Sequence, residues 1–329
     1  MAELSGNYPT MLDMIRSQNP DGTLATVAPV LMQKNPILQH VQYKQANDGS
    51  GEITTVEASL PQAYLRTYNE VVPDGKGTNV QVRDTMAMLE QWSRADEKLA
   101  RASGDVAGYR ARELRKHISA MSNEAGRLAF YGNALVSPKE CTGLAIRFSD
   151  TAAVNGRNLI DAAGTGGDNT SIWFIKHGED GLLGITPRGS SAGLTTSDFG
   201  MVAAESHAGQ TGNIAVFKER LSWDLGFSVK DWRNIARIAG IDVVALRAGV
   251  DDADLIDLMI DAYHSLESTE GVKIYANRTI MAILDKQRRD AVAAGGQLGY
   301  VEVDGKNVPA FRQLPMYVCE AILNTEAGV

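Results

Sequence analysis

The sequence predicts an α+β fold, and three observations carry that expectation. Around residues 217–230 the side chains alternate: Leu221, Trp223, Leu225, Phe227 and Val229 share one face, and Arg220, Ser222, Asp224, Ser228 and Lys230 share the other. A period of two belongs to a strand with one buried face. Across residues 105–132 the apolar seam Leu114, Ile118, Met121, Ala125 and Leu128 advances in steps of four and three, the period of an amphipathic helix. At about 1.5 Å per residue that helix is roughly 40 Å long. The last third alternates strand-like and helix-like segments, which makes an α/β layer.

Composition sets the limits. With 329 residues, 44% of them hydrophobic, the chain can bury a large core and would normally split into two domains. No run of about 18 apolar residues is present, so no membrane-spanning helix is expected. Residues 1–20 include Glu3 and Asp13 and lack an apolar h-region, unlike a signal peptide. Cys141 and Cys319 lie far apart without CxxC spacing, which speaks for a reduced compartment and against a disulfide framework. A net charge of −8 argues against general DNA binding through phosphate contacts. Arg110, Arg112, Arg115, Lys116 and His117 crowd one stretch, but a solvated or interfacial helix face accounts for them.

In chain order, residues 1–44 read as an arm. Pro9, Pro20, Pro29 and Pro36 forbid long helices, and the apolar clusters at 11–15 and 27–32 supply a turn or two each. Such an arm gains order by lying on its own body or on a neighbour. Residues 45–83 read as a polar hairpin, with turns at 47–51 and 73–77 flanking strand-like pieces at 52–57, 63–72 and 79–84. A lone hairpin is marginal in water, so its order is expected to depend on a partner surface. Residues 84–135 hold two expected helices, 84–103 (with Met88, Leu89, Trp92 and Leu99) and the long one at 105–132. Residues 136–169 connect.

Residues 170–230 read as strands at 172–176, 182–186, 200–205 and 214–229, with a glycine- and serine-rich loop at 187–198. At Asp231 the period changes: Trp232, Ile235, Ala236, Ile238 and Ala239 recur at helical spacing and predict a short helix. Within 231–329 we further expect strands at 242–246 and 272–276 and helices at 251–266 and 278–293. A closing pair, 300–303 and 308–323, flanks the turn at 304–307.

Catalytic patterns are absent from this sequence. His40, His117, His177, His207 and His264 are scattered without metal-ligand spacing, and each reads as a surface or packing residue. The glycines at 164, 166 and 167 lack the rest of a phosphate-binding motif and lead into a strand, so they read as a loop. Cys141 and Cys319 read as small buried residues rather than nucleophiles. Asp251, Asp252, Asp254 and Asp257 open a predicted helix, where capping and the helix dipole already favour carboxylates. No catalytic residue, metal or cofactor is expected.

Two blocks resemble a known family. FKERLSWDLGFSVKDWRNIARIAGID at 217–242, and the stretch at 272–324 with VKIYANRTIMAILD and CEAIL, are similar to the major capsid proteins of short-tailed double-stranded DNA bacteriophages with the HK97-type fold. The resemblance implies an N-terminal arm (1–44), an E-loop hairpin (45–83), a P-domain with its spine helix (84–135), a connecting segment (136–169), P-domain strands (170–230) and an A-domain (231–329). Those strands usually come at the C-terminal end, so a permuted strand order is expected.

The implied function is that of a coat protein, not an enzyme. Copies would assemble as hexamers and pentamers into an icosahedral shell enclosing double-stranded DNA without sequence-specific binding or a membrane. Assembly would take place in the bacterial cytoplasm, with scaffolding and portal proteins and a cement or decoration protein as partners. On this reading Glu52, Glu57, Arg66, Glu70, Lys76 and Arg83 pair across subunits. Two alternatives stay open: an encapsulin-like nanocompartment shell, and a small-molecule α/β enzyme with a site assembled from scattered residues.

Overall fold

The computed structural model describes residues 33–49, 51–189, 193–205, 212–248, 255–290, 298–303 and 305–328. The expected arm up to residue 32 lies outside them, as do His207, Asp251, Asp252 and Asp254. Two sheets and one long helix organise the rest. The long helix, α3 (Val106–Tyr131), forms where the seam predicts it, with the Asp105 side chain accepting a hydrogen bond from Gly108 N at its start. Met121, Ala125 and Leu128 of the seam are buried, and Leu114 and Ile118 are half-buried.

The first sheet has six strands. Its path runs β1 (Tyr43–Gln45), β6 (Leu182–Thr186), β8 (Asn213–Val229), β3 (Thr78–Asp96) and β2 (Gly51–Ser59), and β7 (Thr195–Glu205) also pairs with β8. β8 is the alternating strand of the sequence: Leu221, Leu225 and Phe227 are buried, and Arg220, Ser222 and Asp224 sit on the opposite face. The second sheet has seven strands in the order β11 (Leu298–Val303), β12 (Lys306–Phe311), β13 (Leu314–Val318), β10 (Val272–Ala276), β5 (Asn169–Lys176), β9 (Ile235–Asp242) and β4 (Leu159–Asp161). β5 therefore joins the strands of the last third, while β6, β7 and β8 build the first sheet.

Two principal cores follow. One lies between the two sheets, α3 and the helical turns α1 (Ile37–His40) and α4 (Leu144–Arg147); Phe130, Phe148, Trp173, Phe227 and Tyr275 fill it. The other lies between the far face of the seven-stranded sheet and helices α6 (Leu255–Ser265) and α7 (Arg278–Asp290), with Phe174, Ile238, Met259, Ile274 and Ile280 inside. β5 is buried on both sides, with Trp173 and Ile175 in the first core and Ile172 and Phe174 in the second.

Several expectations are corrected. Residues 84–96 are strand, not helix. They extend β3 to 19 residues, and only α2 (Glu97–Ala102) is helical, capped by Asp96 accepting from Lys98 N and Leu99 N. The apolar Met88 and Trp92 point to the exposed face and Leu89 to the core, so hydrophobicity did not mark the strand's two sides. The helix expected after Asp231 is a single 3₁₀ turn, Trp232–Asn234, leading into β9. Ile235 faces one core while Ala236, Ile238 and Ile241 face the other, and a strand buried on both faces loses its period.

Residues 243–246 are helical (α5, Val243–Ala248) rather than a strand, with the Asp242 carboxylate accepting from Ala245 N. The strand-like piece at 63–72 is irregular. The expected strand at 308–323 is two, β12 and β13, separated by a turn in which Arg312 and Gln313 take φ of 46° and 71°.

Candidate assembly surface

The projecting hairpin is the most conspicuous exposed feature. β2 and β3 pair antiparallel from Gly51 opposite Thr85 to Ser59 opposite Thr78. The other half of β3, Met86–Asp96, is held by β8 inside the first sheet. One strand thus anchors the hairpin in the body and carries its outer half into solvent.

The root of the hairpin is densely bonded. Glu52 is buried; it pairs with Lys44 Nζ at 2.7 Å and accepts from Asn47 N at 2.8 Å. Asn47 spans to Ile53 in both directions, donating from Nδ2 to the carbonyl and accepting its N–H at Oδ1. Arg83 pairs with Asp48 at 2.6 Å. Asp84, also buried, meets Arg147 at 2.6 Å, and Arg147 donates a second bond to the Phe227 carbonyl. Charge-assisted bonds of this kind fix the angle at which the hairpin leaves the sheet.

The tip is different. Leu60 is 77% exposed, Leu65 100%, Tyr68 97% and Val71 90%. Such a cluster of large apolar side chains on one projection is what protein interfaces bury. Of the charged residues expected to reach across subunits, Glu57, Arg66, Glu70 and Lys76 are exposed along the hairpin. Glu70 caps the local turn by accepting from Thr67 N, and Arg66 donates to the Thr67 carbonyl. Glu52 and Arg83 are engaged at the root within the subunit. In the sequence the apolar tip residues are visible only as large side chains inside an otherwise polar stretch, and polarity by itself points to the charges.

Elsewhere, ion pairs fasten the elements that carry the hairpin. Arg110 of α3 joins Asp198 of β7 and Glu219 of β8, and the Arg110 guanidinium holds the Asp198 carboxyl below its usual range. The basic stretch on α3 is thus partly an internal clamp. Arg237 of β9 is buried and pairs with Glu326 at 2.8 Å, which also accepts hydrogen bonds from Ser171 and Tyr131. Cys141 and Cys319 are buried free thiols, and burial pushes both up to about 12.

Clefts are modest. One of about 540 Å³ lies between the arm root and α3, lined by Lys34, Asn35, Leu38, Ser122 and Trp223 among others. Its lining contains no nucleophile beside a general base. Among the described residues no group of three or more His, Cys, Asp or Glu is placed to hold a metal, and no helix is long and apolar enough to cross a membrane.

Similarity to known proteins agrees with this geometry. Residues 19–329 match the sequence model of the family described as major capsid protein GP7. A chain in the near-atomic structure of bacteriophage Epsilon15 shares 31% identity, covering 100% of this chain and 99% of that one with a TM-score of 0.79. The bacteriophage JBD30 capsid aligns over 97% and 96% at 11% identity and a TM-score of 0.47. The SrpI encapsulin of Synechococcus elongatus aligns over 66% and 93% at 10% identity and a TM-score of 0.41. No curated protein matches the chain. The fold is the HK97-like fold of phage capsid proteins. A shell-forming structural protein of a bacteriophage fits every feature above, and the chain belongs to the GP7 family of major capsid proteins.

Proposed function

We propose that copies of this chain form an icosahedral shell around double-stranded DNA, as hexamers and pentamers clasped by the hairpin. The observation that carries this reading is the contrast within the hairpin, a densely bonded root and an apolar tip that stands exposed among the described residues. Burying a Leu, Val or Tyr side chain is worth about 1.5–3 kcal/mol, whereas an exposed ion pair contributes under about 1 kcal/mol. Leu60, Leu65, Tyr68 and Val71 therefore supply most of the contact energy. Glu57, Arg66, Glu70 and Lys76 set its register against the neighbour's charges.

On this reading residues 45–83 are the E-loop, α3 with the six-stranded sheet is the P-domain, and the seven-stranded sheet with α5–α7 is the A-domain. The shell acts by surface complementarity and has no enzymatic activity. Many modest contacts per subunit make it stable through multivalency. It assembles in the host cytoplasm with a scaffolding protein and a portal, and a decoration protein covers its outer contacts.

The test is negative-stain microscopy and sedimentation of the chain, expressed alone and with a candidate scaffolding protein. Closed shells or ring-like capsomers are expected. Leu65→Asp combined with Tyr68→Asp should leave folded, soluble subunits that do not close. A wild-type chain that stays monomeric or dimeric in every condition would sink the reading. The ratio of absorbance at 260 and 280 nm in shells recovered from infected cells then separates a DNA-filled capsid from a compartment with protein cargo.

A further inference from the structure

The arm root is fastened to the seven-stranded sheet by three side chains that assembly does not explain. α1 ends at His40, whose Nδ1 lies 2.7 Å from the hydroxyl of Tyr275 on β10. The same hydroxyl lies 2.7 Å from Nε2 of His177, in the turn that follows β5. The two imidazole rings are 6.0 Å apart, and the His40 ring also packs 4.5 Å from that of Tyr317 on β13. Tyr275 is fully buried.

A phenol has one proton to donate and one oxygen with which to accept. It bonds two neutral imidazoles at once, donating to the bare nitrogen of one and accepting the N–H of the other. Two imidazoliums have no bare nitrogen to offer, so the phenol proton loses its acceptor and two cations face each other across one oxygen. Among the described residues, the titratable and charged groups that act on them are Lys273 and Tyr275 of β10, Tyr317 of β13 and Cys319 just beyond it. None of these is a carboxylate that would offset the new charge.

We propose that His40, Tyr275 and His177 form an acid-sensitive latch that holds the arm root on the seven-stranded sheet and opens when the imidazoles protonate. Burial first, and Lys273 second, lower His40 to about 4 and His177 to about 3. Once released, an imidazole returns to its ordinary value near 6.5. The latch is therefore fully closed above pH 6.5 and weakens as pH falls below it. The weakening ends once His40 protonates in place near pH 4 and His177 near pH 3. Release reaches the assembly surface: β1 begins three residues after His40 and pairs with β6, and Lys44 within it holds Glu52 at the hairpin root.

The latch rests on subunit geometry and is tested without a shell. Hydrogen exchange of the full chain is followed by mass spectrometry from pH 7 to 4 and corrected for intrinsic rates. Amides of residues 37–45 are compared with those of β5. Opening at 37–45 should rise about tenfold at pH 5.5 for each imidazole released, because one pH unit below 6.5 is a factor of ten. The double variant His40→Gln, His177→Gln keeps polar contact with the hydroxyl but cannot charge, so its 37–45 protection should be flat across that range. Unchanged wild-type protection down to pH 4, or a double variant that opens as the wild type does, overturns the proposal. Should the double variant not fold, Lys273→Met serves instead. Removing that cation lets the imidazoles protonate in place at higher pH, so the acid-dependent opening must shrink; an unchanged profile counts against the latch.

Discussion

At the scale of single residues, buried charge is the most consequential feature. Arg237 and Glu326 are both nearly inaccessible and lie 89 residues apart. Removing one partner of such a pair strands the other, at a loss of about 3–5 kcal/mol. Glu326→Ala should lower unfolding stability by that amount in urea titrations, and a loss under about 1 kcal/mol would show that the pair is not desolvated as drawn. Gly126 makes a second case. A Cβ there would lie 2.8 Å from Cγ of Asn35, the residue whose Oδ1 accepts from Ala321 N. Gly126→Ala should therefore lower the melting temperature, although alanine is the better helix former by about 1 kcal/mol. Both cysteines were legible as buried residues. With their thiols near 12, neither should react with a thiol reagent at pH 8 until the chain is denatured.

At the scale of elements, legibility followed one-sidedness. α3 and β8 each bury one face, so their periods appear in the sequence and their bounds were read to within a few residues. β3 and β9 hid for opposite reasons. β3 exposes Met88 and Trp92 on its outer face, so apolar residues occur on both sides of a half-buried strand. β9 is apolar on both sides because cores cover both. The boundary between β3 and α2 rests on Asp96, and Asp96→Ala should destabilise the subunit by about 1 kcal/mol through loss of the N-cap. At the hairpin root, Arg147→Met leaves the Asp84 carboxylate buried without its cation. Amide exchange in β2 should then quicken while that in the middle of α3 stays unchanged; equal acceleration in both would mean the pair supports the whole subunit instead.

At the scale of the whole molecule, the segment after β13 ties the parts together. Cys319 N donates to the Ala276 carbonyl, Glu320 N to that of Lys34, Thr170 Oγ1 to that of Leu323, and Glu326 N to that of Asn169. Arm root, β5, β10 and the end of the chain thus meet in one place. Removal of residues 319–329 should abolish soluble, folded subunits, a result checked by recovery in the supernatant and by circular dichroism. The candidate surface shows the same dependence on distant parts. The hairpin and its charges stood out in the sequence as a polar stretch between turns. That Glu52 is buried on Lys44, whereas Leu65 and Tyr68 face solvent, follows from which half of the hairpin the body anchors.

The sequence by itself determined the α+β class, the long helix, the one-faced strand β8, the projecting hairpin and the capsid family. Each of these is written in local periods or in contiguous blocks, because burial on one side repeats at the period of the element. Tertiary structure decided the rest: two strands disguised as helices, the division of strands between two sheets, and the partners of the buried polar groups. Those partners lie far apart in the chain, Asp84 and Arg147 separated by 63 positions and His40 and Tyr275 by 235. No local pattern encodes such a pairing. The need of a buried polar group for a partner is met only when folding brings that partner within hydrogen-bond reach.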